Sequence, residues 1–68
     1  MVVEIRDRLR EYRRRSGLSQ SKIAEIAGVN LRMYQYYEQG AKDLTKAEAG
    51  SVLRIAKALG VTVEDLIG

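Results

Sequence analysis

The 68-residue chain contains no cysteine, histidine, proline, tryptophan or phenylalanine. Without cysteine there is no disulfide framework and no thiolate metal site. Without histidine the chain lacks the commonest metal ligand and the commonest general base. Without proline no helix carries an imposed kink. No stretch of about 18 apolar residues occurs, so no membrane span is expected. Val2 and Val3 are followed at once by charged residues, which leaves no apolar region for a signal peptide. A soluble, cytoplasmic protein without metal or cofactor is the expectation.

The length suits one domain, residues 1–68, and a single small core supplies a stability margin of only about 3–5 kcal/mol. Twelve Lys and Arg against nine Asp and Glu give a net charge of +3. That excess is too modest to identify a nucleic-acid partner by itself.

Glycines and capping residues punctuate the chain. Gly17, Gly28, Gly40 and Gly60 each follow a stretch of helical apolar spacing, the usual place for a helix-ending glycine. Ser19 and Asn30 stand where N-caps are needed. Thr45 with Glu48 fits a capping box, and Thr62 with Asp65 fits its shorter-armed relative. The pattern predicts five helices, at about 2–16, 19–27, 30–39, 45–59 and 62–67, and no strand. Expected core residues are Ile5, Leu9 and Tyr12 in the first helix, and Ile23 and Ile26 in the second. The fourth contributes Val52, Leu53, Ala56 and Leu59, and Val61, Val63 and Leu66 anchor the fifth. Gly50 lies inside the fourth helix, which suggests a closely packed neighbour. Only Gly28, Val29 and Asn30 separate the second and third helices, a connection that sets two helices at a steep angle.

The third helix holds three of the four tyrosines, in YQYYEQG at residues 34–40. At about 100° per residue, Tyr34 and Tyr37 fall on one side, with Met33 at its edge. Arg32, Gln35, Tyr36 and Gln39 fall on the other, and no acid joins them. Arginine carries a two-donor fork that matches guanine, glutamine can pair twice with adenine, and tyrosine offers a hydroxyl and a flat apolar surface. Such a face is also compatible with plain solvation, although the short preceding turn favours a groove-reading role.

Residues 18–40, LSQSKIAEIAGVNLRMYQYYEQG, resemble the helix-turn-helix of the Cro-repressor-type (XRE) family. The shared pieces are Leu18-Ser19-Gln20, Ala24, Gly28-Val29 and Glu38-Gln39-Gly40. ALGVTVEDLI at 58–67 is similar to the same family's last two helices. The resemblance implies an all-α, compact five-helix domain of the lambda-repressor type that binds double-stranded DNA, with the helix-turn-helix at helices 2 and 3. By position it assigns base-edge contacts to Leu31, Arg32, Gln35, Tyr36 and Gln39. It assigns phosphate contacts to Ser19, Gln20 and the loop around Lys42, and a structural ion pair to Arg13 and Glu38. The sequence departs from the family at Leu31, Arg32 and Met33, where small polar residues or glutamine are common, and at Tyr34, where Ile or Val is common. Leu31 can read only a methyl group or shape.

Six arginines crowd residues 6–15. Arg6, Arg8 and Arg10 read as a solvated face. Arg14 and Arg15, beside the first inter-helix turn, fit either solvation or phosphate contact. Lys22 opposes the dipole of the second helix but suits a phosphate. Ser19-Gln20-Ser21-Lys22 matches the S-x-x-K nucleophile motif, yet its companion motifs are absent and the chain is too small for that fold. No enzyme is expected.

The leading expectation is a sequence-specific transcriptional regulator, a repressor working as a homodimer that assembles before or only on DNA, with Leu66 and Ile67 at the dimer contact. The alternative is a protein-interaction module, an antitoxin or adaptor whose partner is a toxin or a larger regulator.

Overall fold

The computed structural model describes residues 4–68. Its elements in chain order are α1 (Ile5–Ser16), α2 (Gln20–Ala27), α3 (Leu31–Gln39), a 3₁₀ turn (Leu44–Lys46), α4 (Ala49–Leu59) and α5 (Val63–Ile67). The described residues contain five α-helices and no strand, as expected. None of these helices is long and apolar enough to cross a membrane.

The core is assembled from one stripe of each helix. Leu9 of α1, Ile23 of α2, Tyr34 of α3, Ile55 of α4 and Leu66 of α5 are all fully buried. α2 packs most extensively on α4, and small residues at the junction, Ala24, Ala27 and Ala56, let the two backbones approach. Arg54 of α4 fastens this contact by donating from Nε to the Ala27 carbonyl at 2.9 Å. That carbonyl belongs to the last turn of α2, where carbonyls lack partners within the helix.

The caps of α2, α3 and α5 form as their sequences indicate. Ser19 Oγ accepts from the Lys22 amide, and Asn30 Oδ1 accepts from the amides of both Arg32 and Met33. Thr62 and Asp65 form a reciprocal capping box. Between α2 and α3, Gly28 takes the left-handed conformation at φ 68°, which a residue with a Cβ adopts at a cost. The Val29 amide then reaches back to the Ala24 carbonyl at 3.0 Å, closing the helix end.

Several sequence expectations need correction. The first helix begins at Ile5 with Glu4 at its N-cap, and residues 1–3 lie outside the described residues. The fourth helix begins at Ala49 and not near residue 45. Asp43, two residues before Thr45, accepts from both the Thr45 amide and the Thr45 hydroxyl, at 2.9 and 2.7 Å. Thr45 therefore sits in a 3₁₀ turn that drives Leu44 into the core, and it forms no capping box with Glu48. Ile26 and Leu53 are exposed, 53% and 46%, because each lies beside the buried stripe of its helix; Ile55 takes the place expected for Leu53. Gly50 has no closely packed neighbour: a Cβ there would meet only the end of the Arg54 side chain, at ordinary contact distance. Leu66 is buried in the chain's own core and offers nothing to a dimer surface.

Candidate nucleic-acid interface

The helix that carries the outward stripe is fixed by an ion pair below it. Arg13 of α1 donates from Nε to Glu38 Oε2 at 2.7 Å and from Nη2 to Oε1 at 3.2 Å, a two-pronged contact. Its Nη1 also reaches the Leu18 carbonyl at 3.3 Å. Glu38 is 1% exposed. Burial alone would push its carboxyl up, but hydrogen bonds from Arg13 and Gln20 and the neighbouring Tyr34 hydroxyl hold it below the ordinary carboxylate range. The Tyr34 hydroxyl is itself buried without a hydrogen bond of formed geometry. Burial first, and the adjacent carboxylate second, push that phenol well above its ordinary value, so it stays neutral.

Gln20 belongs to the same cluster. Its Nε2 donates to Glu38 Oε1 at 3.3 Å, and its Oε1 accepts from Gln35 Nε2 at 3.2 Å. Gln20, assigned to phosphate by resemblance, thus joins α2 to α3, and one amide hydrogen remains for an outside acceptor. Sequence reasoning did not foresee this link, because nothing in the spacing shows that α2's first residue lies over Gln35.

The other assigned residues are placed as follows. On α3, Leu31, Arg32 and Gln39 are exposed, and Gln35 and Tyr36 are half-buried; Tyr34 is fully buried and Tyr37 half-buried against the core. Arg32 and Gln39 make no side-chain hydrogen bond or ion pair among the described residues. Ser19, Lys22 and Lys42 are exposed. The Ser19 hydroxyl oxygen accepts from the Lys22 amide, leaving its proton free to donate. Lys22 Nζ lies 3.9 Å from Glu25, a loose contact within the helix. Arg14 and Arg15 share Glu11, at 3.9 and 3.3 Å, and Arg15 also lies over the Tyr12 ring. All are exposed enough for such pairs to hold them weakly.

Two arginines read as solvated do more than that. Arg10 Nη2 donates to the Glu38 carbonyl at 3.0 Å. Arg6 lies so close over Gly40 that a Cβ there would come within 2.7 Å of its Cδ. Gly40 is held at φ 79°, so its lack of a side chain serves both the turn and the arginine. Arg6, Arg10 and Arg13 are four and three apart, one stripe of α1 beside Ile5, Leu9 and Tyr12. That spacing was the available signal that the three act together.

A first helix of eight residues, a turn closed on Gly28 and Val29, and a second helix capped by Asn30 that presents uncharged and cationic side chains outward together define a helix-turn-helix. The chain belongs to the helix-turn-helix domain family, whose profile matches residues 4–66. The match accords with the Cro-repressor-type resemblance of residues 18–40 and 58–67. No curated protein matches the chain.

Proposed function

We propose that this protein is a sequence-specific regulator that binds double-stranded DNA, with α3 in the major groove and α2 across the phosphate backbone. The observation that carries this reading is the outward face of α3. Arg32, Gln35, Tyr36 and Gln39 share it, no acidic side chain interrupts it, and it follows directly on the Gly28–Asn30 turn. Arg32 and the two glutamines supply donors and acceptors suited to base edges, and Tyr36 supplies an apolar plane with a hydroxyl. Leu31, exposed at the start of α3, is suited to a thymine methyl. Lys22, Lys42, Arg14, Arg15 and the Ser19 hydroxyl, all exposed, serve as phosphate contacts. A two-fold pair of such domains would set its α3 helices about 34 Å apart on an inverted repeat.

The test is selection of bound duplexes from a random pool, followed by salt titration on the enriched site. Contacts from Lys22, Lys42, Arg14 and Arg15 to phosphate give a slope of log K against log salt of about −3.6 per domain, from about −0.9 for each. An enriched inverted repeat, bound by two domains with a slope of about −7, supports the reading. A pool without enrichment, or binding insensitive to salt, overturns it and favours a protein partner for the same face.

A further inference from the structure

The hydrogen bonds that tie Gln20 to Glu38 and Gln35 have a direction, and that direction reaches the outward face of α3. Glu38 is ionised, so both carboxylate oxygens only accept. Arg13 only donates. Gln20 must therefore turn its NH₂ group toward Glu38, where Nε2 lies 3.3 Å from Oε1. Its carbonyl oxygen then points the other way. An amide facing that oxygen can only donate to it, and Gln35 Nε2 does so at 3.2 Å. One of the two Gln35 amide hydrogens is thereby engaged. What Gln35 has left for an outside partner is one donor and its carbonyl oxygen.

We propose that Gln20 is a positioning residue that fixes the amide polarity of Gln35, and that this makes Gln35 select adenine over guanine in the major groove. The inference rests on the DNA-reading function proposed above. Adenine presents an acceptor, N7, beside a donor, the N6 amino group, and the remaining pair on Gln35 matches both. Guanine presents two acceptors, N7 and O6. A free glutamine can offer both amide hydrogens to guanine. Gln35 cannot, because one is held by Gln20, and its own oxygen would face a guanine oxygen instead. Glu38 sets this preference from inside the core without touching DNA.

The experiment is selection of duplexes from a random pool by the full chain and three variants, each checked for helical content. In the unaltered protein one half-site position shows adenine over guanine by about tenfold or more, within the discrimination of a good two-bond contact. Gln35→Ala abolishes the preference at that position and so locates it. Gln20→Met keeps the length of the side chain but removes both of its polar atoms. It lowers the adenine-to-guanine ratio there to about twofold or less and leaves base ratios at the other positions unchanged. Gln20→Glu retains an acceptor toward Gln35, so it keeps the adenine preference even where stability falls. A merely structural role would weaken binding to all sequences alike. An unchanged ratio in Gln20→Met, an equal loss at every position, or loss of adenine preference in Gln20→Glu overturns the inference while the DNA reading stands. Should Gln20→Met fail to fold, Gln20→Ala, which also removes the acceptor toward Gln35, carries the same expectation and the same overturning result. A wild-type pool with no enriched sequence overturns the DNA reading, and the inference with it.

Discussion

Arg13 and Glu38 meet across the α1–α3 contact at 2.7 Å, with unequal access to water: the arginine side chain is 20% exposed and the glutamate 2%. Removing either partner strands a charge, but not at the same depth. Glu38→Ala leaves a guanidinium that can turn toward solvent and keeps its Leu18 carbonyl contact. It should cost about 3 kcal/mol, the lower end for breaking a buried pair. Arg13→Ala leaves a carboxylate in the core and should cost more, toward about 5 kcal/mol. Denaturant melts of the two variants at neutral pH give the order.

The same pair shapes the response to acid. Glu38 has a folded-state pKa below its unfolded value, so its contribution is complete above the unfolded value of about 4.3 and is lost as pH falls through the lower folded value. Wild-type stability should decline with acid in that window. In Arg13→Ala, burial acts with its main opponent gone and raises the folded value. The sign then reverses: that variant is most stable below about pH 4.3 and loses stability as pH rises through the raised value. Melting temperatures between pH 3 and 7 would show opposite slopes for the two proteins.

The tyrosines of α3 separate by depth. Tyr34→Ala deletes a fully buried ring and should cost about 3–5 kcal/mol, as large aromatic deletions do. Tyr36→Ala removes a half-buried ring from the outward face. It should shift melting less and weaken duplex binding more. Thermal melts and duplex titrations on both variants check the pairing of effects.

Arg32 is exposed at the start of α3 and engages no other side chain among the described residues. Arg32→Ala should weaken binding to the selected duplex by about 1–3 kcal/mol and relax base preference at one position. Equal weakening on selected and random duplexes would assign Arg32 to the phosphates.

The cap of α3 can be tested apart from function. Asn30 Oδ1 accepts two amide protons, and Asn30→Ala should cost about 1 kcal/mol of stability, read from the denaturation midpoint.

Local chemistry made much of this fold legible from sequence. Ser19, Asn30 and Thr62 cap because their side chains reach amides two or three residues ahead, and Gly28 and Gly40 end helices by backbone geometry. The phase of α3 follows from the spacing of Tyr34 and Tyr37, three residues apart. What failed depended on competition or on tertiary placement. Thr45 looked like an N-cap, but the nearer Asp43 engages it first, and burial of Leu44 demands a separate turn before α4. Ile26 and Leu53 are apolar but adjoin the packed stripe, so residue type misled where angle decides. The link from Gln20 to Gln35 requires α2 to lie over α3, a relationship between helices and not within either.

Among the described residues, the side-chain hydrogen bonds that reach α3 from other helices land on Gln35 and Glu38. Its first turn has only its own Asn30 cap and the apolar packing of Tyr34 and Val29. The helix is thus a cantilever, clamped toward its root by α1 and α2, with no side-chain hydrogen bond from another helix at its tip among the described residues. With α3 seated in a groove as proposed, small adjustments to its curvature would concentrate at that tip, near Leu31 and Arg32, while the root would keep register. Amide exchange should follow the same gradient, faster at Met33 than at Glu38.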